Sequence, residues 1–125
     1  MSIPLESDVP AVRVRTLSEA PPKPGAAYIL YCMTAFRRTR WNFALERAVD
    51  WSRALNLPLL VFEPLRAGYQ WATNRTHTFV VDGMRANAQA CDKHNVAYFP
   101  YLEMNAGEGE GLFRSLAENA AVVVS

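Results

Sequence analysis

The chain has 125 residues, half of them hydrophobic and a fifth charged, with 13 Lys and Arg against 12 Asp and Glu. That size and balance suit one globular domain with one core, and the near-zero net charge excludes a free-standing duplex binder acting through overall basicity. No apolar run approaches the ~20 residues of a membrane helix, and the first residues lack the apolar centre of a secretory leader, so the expectation is a soluble cytoplasmic protein with no membrane partner.

Five of the eight prolines fall before Ala26, and proline fixes φ while removing a backbone donor. Residues 1–26 therefore read as an extended arm, in which Val12-Arg13-Val14-Arg15 alternates as an edge segment would. Ala27 to Met33 is a short Tyr-, Ile- and Leu-rich run behind Gly25, the pattern of a strand covered on both faces. From Trp41 the apolar positions Ala44, Leu45, Ala48, Val49 and Leu55 recur at helical spacing, with Thr39 as the expected N-cap and an end near Asn56. Leu59 to Phe62 is a second apolar strand, opened by Pro58 and closed by Glu63-Pro64.

Leu65 to Arg75 has no period and mixes aromatic, basic and small residues, a composition that loops with a function tend to show. Thr76 or Thr78 is the expected cap of a second helix with Phe79, Val80, Met84, Ala88 and Cys91 on one face, and Gly83 is expected to allow close backbone approach. Val96 to Leu102 is a third strand. A Gly- and Glu-rich turn then leads to a short helix from Leu112 to Asn119, with Glu108 and Glu110 suited to its N-terminus. Ala120 to Val124 forms a fourth strand.

Strands alternating with helices predict a parallel sheet with helices on both faces: a three-layer, Rossmann-like α/β sandwich in the order 3-2-1-4. The domain spans residues 27–125. Val122-Val123-Val124 has the composition of an interior strand, which implies a missing fifth strand and a truncated domain.

Catalytic constellations are lacking. The sequence holds neither a Gly-x-Ser-x-Gly elbow nor a P-loop, and the Gly107–Gly111 run does not match the dinucleotide fingerprint. Cys32 and Cys91 stand apart from each other and from any His at metal-ligand spacing, so they read as reduced core thiols, with no metal. His77 and His94 read as surface or helix-end histidines. Open parallel sheets bind ligands beyond the carboxyl ends of their strands, which points to the residues after Met33 and after Phe62. Arg37, Arg38 and Arg40 form the densest basic patch.

The order of arm, Tyr-rich strand ending in Met33, then Arg38, Asn42, Ala44 and Leu45, resembles the opening of class II cyclobutane pyrimidine dimer photolyases. Asn74-Arg75-Thr76-His77-Thr78-Phe79 with Gly83-Met84 is similar to that family's second-helix segment. The resemblance runs from Val12 to about Glu103. It implies the antenna-chromophore domain of a light-dependent DNA repair flavoprotein, a carbon-carbon lyase when whole, with FAD held in a C-terminal helical domain that this sequence lacks.

The fragment alone is then not catalytic; its partners are that helical domain and, through the full-length protein, damaged DNA. A deazaflavin-type antenna pigment is implied at Met33, Phe62, Glu63, Leu65 and Arg66, with Trp71 as an aromatic wall, and Arg38 and Asn42 are implied at the interdomain contact. The sequence departs from the family pattern at Cys32, where a Trp is usual. A stand-alone nucleotide or small-molecule binding module and a cryptochrome-like blue-light signalling domain are the alternative readings.

Overall fold

In the computed structural model, residues 9–10, 22–33, 39, 42–65, 74–103 and 111–125 are described, with side chains in the second helix described from residue 81 onward. Four strands, β1 (Tyr28–Cys32), β2 (Leu59–Leu65), β3 (Ala97–Leu102) and β4 (Ala120–Val124), alternate with three helices, α1 (Phe43–Leu55), α2 (Asn74–Lys93) and α3 (Leu112–Glu118). All pairings are parallel, as the alternation of elements predicts, and the sheet order is β3-β2-β1-β4, the order expected.

Pairing in register sets which side chains share a face. Ile29 lies opposite Leu59 and Tyr31 opposite Val61, and these residues join Met33, Ala48, Cys91 and Ala121 in one core cluster beneath α1 and α2. Leu30, Cys32, Phe62 and Ala120 form the other cluster, against Leu112, Leu116 and Ala117 of α3. Helices therefore cover both faces, unequally. The first face carries helices of 13 and 20 residues, the second a helix of seven, and Phe99 on the second face stays 39% exposed. Ile29, Leu30, Tyr31, Met33 and Val61 are almost wholly buried; such side chains contribute about 1.5–3 kcal/mol each to folding.

Local chemistry fixes the helix ends. Asn42, not Thr39, caps α1: its side-chain oxygen accepts from Leu45 N–H at 3.0 Å while its backbone is extended at φ −127°, which moves the helix start to Phe43. Asn stabilises this position at least as well as Thr. Asn56 ends α1 at φ 53° and Asn95 follows α2 at φ 57°. In both places the next N–H turns back onto the helix, Leu57 to Ser52 O at 3.1 Å and Val96 to Cys91 O at 2.8 Å. Asn tolerates this left-handed geometry and so substitutes for the usual glycine.

Three expectations are revised. β2 runs on through Glu63 and Pro64 to Leu65, because Pro64 lies opposite Tyr101 in the ladder. α2 begins at Asn74, so Thr76 and Thr78 lie inside it, past its start. A Cβ built on Gly83 meets nothing within 4 Å, so that glycine serves no close approach. The segment before β1 is tied to β4 and to the end of α3, with Lys23 N–H donating to Ala121 O at 3.1 Å and Lys23 Nζ donating to Glu118 O at 2.6 Å. Most of the expected arm, with Val12 to Arg15, lies outside the described residues.

Candidate functional site

The chain moves from β1 to β2 to β3 with α1 and α2 on one face, then returns past β1 to β4 with α3 on the other. The direction of winding reverses between β1 and β4. Side chains at the carboxyl ends of the strands near such a reversal line the crevice where open α/β sheets bind ligands.

At that edge the structure builds a buried polar group. Glu63 ends 0% exposed, and its Oε1 accepts from Asn87 Nδ2 of α2 at 2.9 Å and from the Tyr98 hydroxyl of β3 at 2.6 Å. Asn87 Nδ2 also lies 3.4 Å from the Met33 sulfur. On β1, the Tyr31 hydroxyl accepts from Asn42 Nδ2 at 2.8 Å. Asn42 thus uses one end of its amide to start α1 and the other to hold β1. Together these contacts tie the C-terminal ends of β1 and β2, and the start of β3 through Tyr98, to the two helices.

Burial and neighbouring charge set the electrostatics of this edge. Burial pushes the Tyr31 phenol up from its ordinary value, the Asn42 contact opposes this, and Cys32 and Glu63 add to the rise. Burial, then Glu63, likewise pushes the Cys91 thiol up. Both groups are thereby held in their neutral forms, as hydrogen-bonding or packing groups and not nucleophiles. Among the described residues no group of three or more His, Cys, Asp and Glu could hold a metal ion.

The sequence-derived site residues fall into three sets. Met33 and Glu63 point to the α2 face and are fully buried, so they support the edge from beneath. Phe62 points to the opposite face, 3% exposed, with its ring 5.7 Å from Phe99 in an edge-to-face contact; Phe62 and Glu63 thus cannot share one wall. Leu65, half-buried, is the last residue of β2, its carbonyl accepting from Glu103 N–H at 2.9 Å. Arg66 and Trp71 lie outside the described residues, as do Arg37, Arg38 and Arg40, so the basic patch and the aromatic wall are not placed; Asn42 is, at the start of α1.

Sequence reasoning missed Asn87 and Tyr98. The signal was present: Asn87 falls in the stripe Met84, Asn87, Cys91, where a polar residue on an apolar helix face asks for a buried partner. Cys32 and Cys91 are buried free thiols, as expected, and His94 is exposed just past α2. No helix among the described residues is long and apolar enough to cross a membrane.

Fold and edge together define an open, doubly wound α/β domain with a buried polar group near the carboxyl end of β2. No protein-family model matches the chain. A deoxyribodipyrimidine photo-lyase from Methanothermobacter thermautotrophicus is 35% identical to it over 75 residues, 60% of this chain and 17% of the relative. The similarity supports a relationship to the photolyase family, and the chain spans under a fifth of that relative's length.

Proposed function

We propose that this chain is the N-terminal antenna-chromophore domain of a light-dependent deoxyribodipyrimidine photolyase of the class II type. The observation that carries the reading is the 35% identity over 75 residues, joined to a parallel sheet whose strand ends carry a clamped, buried polar edge. In this reading the whole flavoprotein uses light-excited reduced FAD, bound in a separate helical domain, to donate an electron to a pyrimidine dimer in DNA. The domain described here harvests light and does not itself catalyse repair.

The antenna pigment in this reading is a planar deazaflavin. Leu65, Arg66 and Trp71 line it at the end of β2, the last two supplying charge and an aromatic surface. Met33, Phe62 and Glu63 hold that strand end in place from below, because all three are already committed to packing. Aromatic stacking supplies affinity for such a ring and polar groups at its edge fix its orientation. Arg38 and Asn42 serve the contact with the helical domain, and damaged DNA is the substrate of the whole protein.

Titration of the chain with a deazaflavin, followed by pigment fluorescence, tests the antenna role. Saturable one-to-one binding that weakens in Trp71→Ala and Arg66→Ala is the expected result. Absence of binding overturns the antenna role. Binding that both substitutions leave unchanged overturns the site.

A further inference from the structure

Among the described residues β3 is an outermost strand of the sheet, pairing with β2 and with no other strand. Ala97, Phe99, Pro100 and Leu102 are all exposed, Phe99 at 39% and Leu102 at 42%. An edge strand offers its outward N–H and C=O groups as a template for another chain. This one, Ala97-Tyr98-Phe99-Pro100-Tyr101-Leu102, is six residues long, carries no charge and holds three aromatic rings. Short, uncharged, strand-favouring segments of that kind stack readily on copies of themselves. The sequence has a single interruption, Pro100.

The ladder with β2 fixes which way Pro100 faces. In a parallel pair, alternate residues turn their backbone groups to one neighbour and the residues between them turn away. Glu103 N–H donates to Leu65 O at 2.9 Å, so at steps of two Tyr101, Phe99 and Ala97 also turn their backbone to β2. Tyr98, Pro100 and Leu102 therefore turn theirs outward. At the centre of this edge the proline ring stands where an incoming strand would need an N–H, and proline is tolerated in a sheet at such outward positions. Pro64 provides the contrast. Met33 N–H donates to Phe62 O at 2.8 Å, so Phe62 and Pro64 turn their backbone to β1, inside the sheet.

We infer that Pro100 keeps the β3 edge from pairing with β3 of a second copy of this chain. A second copy is the strand that fits, because two uncharged segments laid edge to edge bring no like charges together and place aromatic rings across from one another. One proline per segment interrupts that pairing at its centre in both copies. The edge lies across the sheet from β4, so this role holds with or without an antenna pigment.

Sedimentation velocity of the whole chain over a range of concentrations tests the inference. Pro100→Val supplies the missing N–H in a strand-favouring residue, and self-association should tighten at least about tenfold over the wild-type chain. Adding Leu102→Pro, whose backbone faces the same edge, should return association to the wild-type value. Pro64→Ala, inside the sheet, should leave it at that value. Should Pro100→Val fail to fold by far-ultraviolet circular dichroism, Pro100→Ala supplies the same N–H on a smaller side chain. Association no tighter than wild type in the folded variant, tight association that survives Leu102→Pro, or equal tightening in Pro64→Ala would each overturn the inference.

Discussion

Removing the Tyr98 hydroxyl with Tyr98→Phe, and the Asn87 amide with Asn87→Leu, measures what the buried Glu63 group contributes to the sheet. Both groups donate to one oxygen of a carboxyl group that has no exposure to water, at 2.6 Å and 2.9 Å. A typical hydrogen bond contributes about 0.5–1.5 kcal/mol and one to a charged group about 1.5–3, while a buried acceptor deprived of a partner also bears its desolvation cost. Each single substitution should therefore destabilise the domain by about 1–3 kcal/mol. The Tyr98→Phe value should be the cleaner of the two, because that change leaves the ring and its packing in place.

Urea unfolding followed by Trp fluorescence reads the difference as a lower midpoint at constant slope. Because the two donors share an acceptor, their effects should not add, and the double variant should show a coupling above about 0.5 kcal/mol. Single losses below about 0.5 kcal/mol with additive behaviour would refute the reasoning, since the edge would then be held by apolar packing alone.

Other outcomes follow from the same geometry. Asn42→Ala removes both the α1 cap and the contact to the Tyr31 hydroxyl; thermal or urea unfolding should show a loss of about 1.5–3 kcal/mol, more than a cap alone. The Tyr31 phenol is raised from 10.0 and the Cys91 thiol from 9.0. The stability each lends is thus complete below its ordinary value and is lost as pH climbs past it. Alkaline titration should accordingly show stability falling from about pH 9 upward, and Tyr31→Phe should flatten the part above pH 10. Cys32 and Cys91, 9% and 6% exposed, should react with a chromogenic disulfide reagent only as fast as the domain opens, while reaction of both at the rate of a free thiol would contradict the packing.

What was legible in the sequence was the order of elements. The apolar runs at Ala27 to Met33 and Leu59 to Phe62, and the helical spacing from Ala44 to Leu55, state their own geometry, and the parallel sheet follows from their alternation. Boundaries were less legible where two signals competed. Thr39 and Asn42 are both cap residues, and the choice rested on Asn42 having a second partner in Tyr31, a contact across 11 positions. Glu63-Pro64 reads as a strand end by composition, yet pairing with β3 carries the strand three residues beyond Phe62, to Leu65.

The candidate site was legible only in part, for a related reason. Glu63 was identified as a polar group at a strand end, and its partners were not, because Asn87 and Tyr98 lie 24 and 35 positions away. Strand alternation alone would have placed Phe62 and Glu63 on opposite faces. Treating them as one wall set that period aside.

Light-driven repair by the full protein is the decisive measurement. The whole reading frame that carries this sequence, purified with reduced FAD and mixed with DNA containing cyclobutane pyrimidine dimers, should restore the intact pyrimidines under near-ultraviolet or blue light and do nothing in the dark. A protein that binds no flavin, or that leaves dimers unchanged under illumination, would contradict the account and leave a ligand-binding α/β domain in its place.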